Sequence, residues 1–486
     1  MKNLDCSKKQ KSARALMVLY LWVFVFIFGC AAAKPEQAAA QRQFTVHLRE
    51  VFDAKVSLIP FAGQRAVYSK PIEEVFGVKE GETATISVPA RYLPGEFLLR
   101  LDYRKKKTDK PYPAERVVFI NKQDIEITVN PPYINNDDKT KFNKGEKENT
   151  VYSVFMKENR EKRLPLDLLR QLLLEYDRSE AKFYAQAVRE FKQRRIEYNR
   201  WLNNQVGKYR ELYVSKLFQF QHLPEVAWSG AEEERLKSIL ENYFEGIDFS
   251  DPLIIGSREL SRFMDNYMRL YGMLAKSKEL RDSLFTRAGR AACEKASLGH
   301  PEVCGWMVDY FYKGYESAGI EDGIIMLGEY AKDSDCLVSK KKQILSRIKS
   351  IEELAPGRLA PDFTASDSQG DLFEFHAWQP RQQYKLLIFS STTCPYCQKL
   401  AKDLKAWHSQ PGNKEKVAVV VASLDGADAD AGEEWKYLEL KKGVNSRAAR
   451  SYGISAVPAM FLINSEDNII VSAPGSFDKL LKALEK

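Results

Sequence analysis

Three kinds of hydrophobic pattern follow one another along the chain. Between Phe44 and Val129, apolar and polar residues alternate in short runs separated by turns rich in Gly, Pro, Asn or Lys. Successive side chains of a β-strand point to opposite faces, so this alternation indicates strands with one buried face. The runs are Phe44–Leu48, Thr83–Val88, Phe97–Tyr103, Val117–Ile120 and Ile125–Val129. Short strands at this spacing predict a small β-sandwich over residues 44–130.

A charged stretch at residues 131–149 is predicted to be a linker, and the period becomes helical over residues 150–354. Large apolar residues recur there mostly at intervals of four and seven, which predicts one long helix or two helices broken near Gly207. These residues are Phe183, Ala187, Phe191, Tyr198, Leu202, Tyr209, Tyr213, Leu217 and Phe220. Further helices are predicted at 231–243, 257–273, 278–296, 301–317 and 338–353. We interpret the aromatic stripe as the core of an all-α middle region, with a groove for a partner protein as the alternative.

The motif Cys394-Pro395-Tyr396-Cys397 follows the apolar strand-like run Leu386–Phe389. A helix that begins at the first cysteine, or at the residue before it, places that sulfur beside unpaired backbone N–H groups. The positive end of the helix dipole lies there too, and both effects favour the thiolate. Cys394 is therefore the predicted nucleophile. Cys397 lies about one turn further along the same helix face and is the predicted resolving thiol.

Redox chemistry is favoured over metal binding at this motif. A structural zinc site normally needs a second Cys-x-x-Cys or a pair of histidines, and neither lies nearby. Pro395 suits the first turn of a helix, where a missing N–H costs little. Asp425, Asp428 and Asp430 alternate in a Gly/Ala-rich stretch but lack the spacing of a calcium loop, so they are interpreted as a solvated loop. No metal site is predicted.

The pair Val457-Pro458 lies at the start of the β-branched and aromatic run Ala459–Ile463. A strand tolerates proline at its first residue. A proline that enters a strand after a short helix is also a candidate for a cis peptide bond. The alternative is a strand-start proline with no part in catalysis.

From Ala355 onward the chain resembles the thioredoxin-fold thiol-disulfide oxidoreductases of the TlpA/ResA type. The matching segments are Gly357–Phe363, the strand into the Cys-x-x-Cys motif, Val417–Val421, Val457-Pro458, Asn468–Ser472 and Phe477–Leu484. The resemblance implies an α/β thioredoxin fold over residues 355–486 and a redox-active Cys394–Cys397 disulfide, with no cofactor. It also implies that Pro458 is cis beside this disulfide, and that substrate binds at Val457, Pro458, Pro395 and Tyr396.

Some positions depart from the usual pattern of this family. Thr393 replaces the tryptophan that commonly precedes the first cysteine, and Ile388 stands where thioredoxin has a buried acid. Proton transfer at Cys397 therefore lacks its usual helper. Leu400 and Lys402 replace an acid and a proline, so the active-site helix is predicted to run without a kink. Peroxide reduction is disfavoured, because the peroxiredoxin loop would need a proline at position 387.

The N-terminus predicts export. Several basic residues precede the uncharged apolar stretch Ala15–Phe28, which is too short for an ordinary membrane span and is typical of a signal peptide. The junction Ile27–Cys30 resembles a lipobox, which implies a signal peptide at 1–29, lipidation of Cys30 and a polar tether at 30–43. An uncleaved anchor or a signal cut elsewhere is the alternative. The sandwich and helical regions also resemble the N-terminal extensions of large, multi-domain TlpA-like envelope lipoproteins.

Composition adds two constraints. The formal net charge is +8, but the first 14 residues contain five positive charges and one negative, so +4 remains after their removal and no nucleic-acid partner is predicted. The exported part keeps Cys293, Cys304 and Cys336 besides the motif, too few for a disulfide-stapled protein. We interpret these three as buried free thiols. A bridge between Cys293 and Cys304 through antiparallel helices, or a relay of electrons to Cys394, are the alternatives.

These features predict a lipid-anchored, periplasm-facing thiol-disulfide oxidoreductase of the cell envelope. Its partners would be the thiols and disulfides of exported proteins and a membrane electron donor or acceptor. Reduction of substrate disulfides is preferred over their formation, although the Pro-Tyr pair between the cysteines resembles glutaredoxins and leaves the direction of electron flow open. The alternative is an interaction or scaffold lipoprotein whose β and helical regions bind a partner while the redox domain contributes little.

Overall fold

The computed structural model describes residues 41–63, 68–367, 369–426, 435–454, 456–472 and 477–484. The described residues form two compact units. The first comprises the chain up to Leu223 together with Leu253–Phe263, and the second comprises Pro224–Pro252 and the chain from Met264 onward. The predicted signal peptide, the lipidation site Cys30 and most of the tether lie outside the described residues. The boundaries of the predicted segments stay predictions.

The first unit contains the predicted β-sandwich. Its described residues form two four-stranded sheets, with strand orders β4-β1-β7-β8 and β3-β2-β5-β6. The strands are β1 Arg42–Leu48, β2 Asp53–Pro60, β3 Glu73–Val78, β4 Thr83–Val88, β5 Gly95–Arg104, β6 Tyr112–Ile120, β7 Ile125–Val129 and β8 Lys141–Phe142. Their inward faces form one apolar core around Phe44, Ile86 and Phe97. The alternation of residues missed β2, β3 and β8.

The stretch predicted as a linker, residues 131–149, packs closely on the first unit. Strand β8 pairs with β7, and a helix begins at Glu148. The Glu148 carboxylate accepts the backbone N–H groups of Tyr213 and Val214, each at 3.0 Å. The Asn149 side chain exchanges two 2.8 Å hydrogen bonds with the backbone of Phe119. The charged composition indicated solvent exposure, but Glu148 and Asn149 are buried. Their hydrogen bonds to backbone groups offset the cost of burying polar side chains.

The middle of the chain is helical, as predicted. The helices are α1 Glu148–Glu175, α2 Lys182–Lys208, α3 Tyr213–Leu217, α4 Glu232–Glu241, α5 Arg258–Leu274, α6 Lys278–Ser297, α7 Pro301–Ala318, α8 Glu321–Lys332 and α9 Lys341–Glu353. The break between α2 and α3 confirms the two-helix alternative near Gly207. Helix α1 was not predicted individually, and helix α8 was missed. Its residues Gly323 and Gly328 weaken the helical pattern, yet a Cβ at either position would lie within 2.7 Å of Tyr315 or Ile348.

The disulfide pairing differs from the expectation. Cys304 is bonded to Cys336, with 5.3 Å between their Cα atoms, and Cys293 is a buried free thiol. Cys293 is thus the buried free thiol that the sequence favoured, and the alternative Cys293–Cys304 bridge is not formed. The expectation that no disulfide staples the chain is wrong. Cys336 follows the unpredicted helix α8, and its neighbour Leu337 returns against α7. A Cβ on Gly305 of α7 would lie 1.9 Å from the Leu337 carbonyl oxygen, so glycine permits this approach.

The second unit ends in the predicted α/β domain, which confirms the multi-domain fold class. Its described strands form one sheet in the order β10-β9-β13-β12-β11-β14-β15. They are β9 Thr364–Asp367, β10 Leu372–Glu374, β11 Tyr384–Ser390, β12 Val417–Ser423, β13 Lys436–Glu439, β14 Ala459–Asn464 and β15 Ile469–Ser472. The helices are α10 Pro395–His408, α11 Asn413–Lys416, α12 Arg447–Ser451 and α13 Phe477–Leu484. Within the described ranges, no helix combines the length and apolar character needed to span a membrane.

Strand β11 lies inside this sheet and leads to the dithiol motif. It runs parallel to β12 and antiparallel to β14. Leu387 and Phe389 belong to the apolar core on one face of the sheet, while Leu386 and Ile388 belong to the core on the other face. Burial on both faces accounts for the continuous apolar run that the sequence shows there.

The Cys304–Cys336 bridge predicts a specific labelling pattern. In unreduced protein unfolded in urea, we expect iodoacetamide to modify Cys293 and to leave Cys304 and Cys336 unmodified, since only free thiols react. Peptide mass spectrometry reads out each site. Closing a loop of this length, with a sequence separation of 32, is expected to stabilise the fold by ~3–4 kcal/mol. Reduction should lower the free energy of unfolding by that amount.

A dithiothreitol-treated sample is the control and should show all three cysteines modified. Modification of Cys304 without reductant would contradict the assigned pairing.

Candidate active site

The dithiol motif lies where strand β11 gives way to helix α10. The strand ends at Ser390, and Cys394 is the residue immediately before the first helical residue, Pro395. The Cys394 sulfur accepts a hydrogen bond from the backbone N–H of Cys397 at 3.3 Å. A hydroxyl or carboxylate oxygen makes this bond at most helix starts. The predicted helix start is confirmed, and the first sulfur occupies the capping position.

The two sulfurs differ in access. Cys394 is partly exposed, whereas Cys397 is 3% exposed beneath it. Both are free thiols in this structure. Tyr396, between them, is 77% exposed. A second molecule can therefore reach the sulfur of Cys394 but not that of Cys397, as the spacing predicted.

The same geometry separates the acidities of the two thiols. Burial raises the pKa of Cys394, but hydrogen bonds from the Cys397 thiol and from the backbone N–H groups of Cys397 and Tyr396 outweigh it, and the net pKa is lowered. Burial also raises the pKa of Cys397, to about 11, and the hydrogen bond to Cys394 acts in the same direction. Cys394 is therefore the thiol that ionises first.

The proline loop, which contains Val457 and Pro458, contacts the nucleophile although it lies much later in the sequence. The peptide bond between Val457 and Pro458 is cis, so the predicted cis-proline is confirmed. The Cys394 thiol lies 3.6 Å from the Val457 carbonyl oxygen, to which it donates a hydrogen bond. The structure thus brings together Cys394, Cys397, Val457 and Pro458, although 63 residues separate the first from the third.

A cleft of about 660 Å³ opens beside Val457 and Pro458. Tyr396, Val457 and Pro458 line it from the α/β domain, and Arg347 and Ile351 of α9 line it from the helical part of the same unit. Pro395, the fourth predicted substrate-binding residue, is not among the residues that line the cleft and is the first residue of α10. The cleft is large enough to receive part of a polypeptide chain next to the nucleophile.

Two departures from the usual family pattern have the predicted structural effects. Ile388 is 4% exposed and packs in the same core as Leu400, so no carboxylate occupies that site. Helix α10 runs unbroken from Pro395 to His408. The buried cation in β11, Lys385, is paired at 2.7 Å with Asp467, near the start of the strand and away from the cysteines.

Sequence reasoning missed the part played by Asp425, which follows β12. It was interpreted as one of several solvated acids, of which Asp428 and Asp430 lie outside the described residues. Its carboxylate accepts hydrogen bonds from the Ser391 hydroxyl at 2.6 Å and the Thr392 N–H at 2.9 Å. No periodicity or spacing in the sequence links position 425 to position 391. In the described ranges, no cluster of three or more acidic, histidine or cysteine side chains could hold a metal ion.

A capping cysteine, a shielded partner and a cis-proline loop beside them define a dithiol site on a thioredoxin-like domain. Comparison with known families agrees, because residues 375–486 match the family model described as a thioredoxin-like domain. The thioredoxin-like resemblance of this part of the chain is therefore confirmed. No curated protein matches the chain.

Three of the solved structures with similarity to this chain come from Bacteroides species. A thioredoxin-like protein from Bacteroides caccae is 18% identical, with 54% of this chain and 98% of that chain covered and a TM-score of 0.40. A thiol-disulfide oxidoreductase from Bacteroides fragilis is 23% identical, with coverages of 26% and 98% and a TM-score of 0.22. The thioredoxin domain of a thiol-disulfide oxidoreductase from Bacteroides vulgatus is 21% identical, with coverages of 26% and 97% and a TM-score of 0.21.

The opposite pKa shifts predict unequal alkylation of the two thiols. At pH 7 we expect Cys394 in the reduced, folded protein to react with iodoacetamide at least ~100-fold faster than Cys397, since only thiolates react and the ionised fractions differ by that factor. The rate at Cys394 should rise with pH and level off below the pH where an ordinary thiol does. Cys397 should react appreciably only as the pH approaches about 11. Fragmentation mass spectrometry separates the two sites.

Protein unfolded in urea is the control, where both cysteines should react at similar rates. Equal rates in the folded protein would refute the assignment of nucleophile and resolving thiol.

Proposed function

We propose that this protein is a thiol-disulfide oxidoreductase that exchanges electron pairs with exported proteins through Cys394 and Cys397. The single observation that carries the proposal is the asymmetry of the pair. One sulfur is partly exposed with a lowered pKa, and the other is buried with a raised pKa. A structural pair of thiols needs no such difference, whereas sequential attack and resolution depends on it.

In the reducing direction, the Cys394 thiolate attacks one sulfur of a substrate disulfide. The substrate S–S bond breaks, a mixed disulfide forms, and the other substrate sulfur leaves as a thiolate that takes up a proton. Cys397 then loses its proton and attacks the Cys394 sulfur, which releases the second substrate thiol. Two electrons have passed to the substrate, and a Cys394–Cys397 disulfide remains. The same steps in reverse introduce a disulfide into a substrate.

The neighbouring residues supply binding rather than electrons. An extended substrate segment that pairs with the backbone at Val457 would hold its sulfur beside Cys394, whose thiol already lies 3.6 Å from that carbonyl oxygen. Tyr396 and Pro458 line the adjoining cleft and offer apolar contact. No bound cofactor takes part in these steps.

The raised pKa of Cys397 sets a limit on the second step. Only the ionised thiol attacks the mixed disulfide, and the position of the usual helper acid holds Ile388. Resolution should therefore be slow relative to a domain with a buried carboxylate at this position, and mixed disulfides should persist long enough to be isolated.

The proposed location is the cell envelope, facing the periplasm. The proposal rests on the basic and apolar sequence at the N-terminus and the lipobox-like junction at Cys30. A membrane partner would regenerate the dithiol after each turnover, because a reductase needs an external source of electrons.

Trapping tests the exchange reaction. We expect a Cys397→Ala variant of the full chain, expressed in a Gram-negative host and quenched with acid, to accumulate mixed disulfides with exported proteins. Without the resolving thiol, the first attack cannot proceed to product. These species should run as higher bands on non-reducing gels and collapse on reduction. Mass spectrometry of the bands identifies the substrates.

The matched control is Cys394→Ala, which keeps Cys397 but should trap nothing because that sulfur is shielded. If Cys397→Ala gives no reducible adducts while the protein is folded and exported, the exchange proposal fails and the scaffold alternative gains support.

Anchoring is tested separately at Cys30. A Cys30→Ser variant should lose the lipid modification, and with it either membrane association or signal cleavage, because lipidation requires the thiol. Fractionation and intact mass report both. A mass that differs from wild type only by the substitution itself, together with an unchanged membrane distribution, would refute the lipid anchor.

A further inference from the structure

The loop before the nucleophile is tied to a carboxylate from a neighbouring strand. Ser391, Thr392 and Thr393 connect β11 to α10, and Asp425 follows β12, which pairs with β11. One carboxylate oxygen of Asp425 accepts the Ser391 hydroxyl at 2.6 Å and the Thr393 hydroxyl at 3.3 Å. The other accepts the Thr392 N–H at 2.9 Å. Three consecutive residues of the loop are thus held by one side chain.

The same loop positions the backbone of Cys394. The N–H of Cys394 donates to the Ser391 carbonyl oxygen at 3.2 Å. The side-chain amide of Gln398, on α10, donates to the Thr392 carbonyl oxygen at 2.9 Å. Asp425 therefore lies at one end of a continuous hydrogen-bonded path that ends at the capping position of α10. A tryptophan in place of Thr393 would bring no hydroxyl to this network.

Asp425 also brings a negative charge to the site. Burial opposes ionisation of its carboxyl, but hydrogen bonds from Ser391, Thr392 and Thr393 outweigh it and lower its pKa to about 2. The carboxylate is therefore ionised at neutral pH. Its charge acts on Cys394 against thiolate formation, whereas the Cys397 thiol and the N–H of Tyr396, both on α10, favour the thiolate. Lys399 and Asp403 of the same helix line the adjoining cleft.

We propose that Asp425 is a positioning residue that anchors the Ser391–Thr393 loop and makes the Cys394–Cys397 couple more reducing. The inference rests on the proposed dithiol function and deepens it. A couple becomes a stronger oxidant when its reduced form is stabilised through the nucleophile's thiolate. A fixed negative charge near that thiolate destabilises the reduced form, so electrons leave the pair more readily. The loop contacts thus favour the reductase direction, which the Pro-Tyr dipeptide leaves open.

Replacement by asparagine tests the charge while keeping the shape. In Asp425→Asn, we expect the pKa of Cys394 to fall and the equilibrium constant for oxidation of the dithiol by glutathione disulfide to drop about two- to tenfold. Removing one charge–charge interaction at a protein surface changes an equilibrium constant by about this factor. The pKa is read from alkylation rate against pH, and the equilibrium constant from quenched mixtures of reduced and oxidised glutathione. The difference from wild type should shrink at 1 M salt, because salt screens an exposed carboxylate.

Asp371→Asn is the matched control. This exposed acid lies on the turn between β9 and β10, and strands β9, β13 and β12 separate β10 from β11 in the sheet. It should leave both readouts at the wild-type value. If Asp425→Asn also leaves both unchanged, or makes the couple more reducing, the proposal is overturned.

Ser391→Ala separates anchoring from charge. It removes the 2.6 Å hydrogen bond and leaves the carboxylate ionised. We expect the rate of mixed-disulfide formation with glutathione disulfide to fall severalfold while the equilibrium constant stays within twofold of wild type. An unchanged rate would overturn the anchoring role. Both assays use glutathione and need no protein substrate. If the Asp425 and Ser391 variants behave as expected but Cys397→Ala traps no exported protein, the proposed function fails and the role of Asp425 stands.

Discussion

The chemistry of this site depends on where helix α10 begins. Because Cys394 is the capping residue, its sulfur takes the place of a capping oxygen and receives the N–H of Cys397. The unpaired N–H groups of the first turn then stabilise negative charge on that sulfur instead of donating hydrogen bonds to solvent. A helix that began one turn earlier would bury both cysteines in its interior, and their acidities would converge. Pro395 helps to define the start, since its ring disfavours a helical residue before it.

The second constraint is the register of the central strands. Phe389, close to the end of β11, lies opposite Ala459 at the start of β14. This pairing brings the residue two before Ala459, Val457, to the nucleophile that follows β11. Parallel pairing of β11 with β12 brings the residue after β12, Asp425, to the same end of the sheet. The Val457 carbonyl oxygen and the Asp425 carboxylate therefore lie at the same end of the sheet as Cys394, and two different strand pairings bring them there.

Much of this could be predicted from the sequence, because it depends on local patterns. The helix start, the order of the two thiols and the cis-proline all follow from residues within a few positions of one another. The contact between Asp425 and Ser391 spans 34 residues, and the Cys304–Cys336 bridge spans 32. Neither follows from periodicity, since each requires knowing which elements become neighbours. The missed helix α8 shows the same limit, because its glycines are explained only by the side chains packed against them.

The helical region contributes to the redox domain of the same unit. Leu354, just after α9, packs in the core on one face of the thioredoxin-like sheet. A Cβ on Gly453 would lie 3.3 Å from the Cβ of Ser350, so α9 lies against the loop that leads toward Pro458. Gly453 has a φ of +58°, a backbone conformation that glycine adopts without strain. A larger residue there would have to displace either α9 or the proline loop. The helical segment therefore supports the backbone that faces the nucleophile, in addition to forming one wall of the cleft through Arg347 and Ile351.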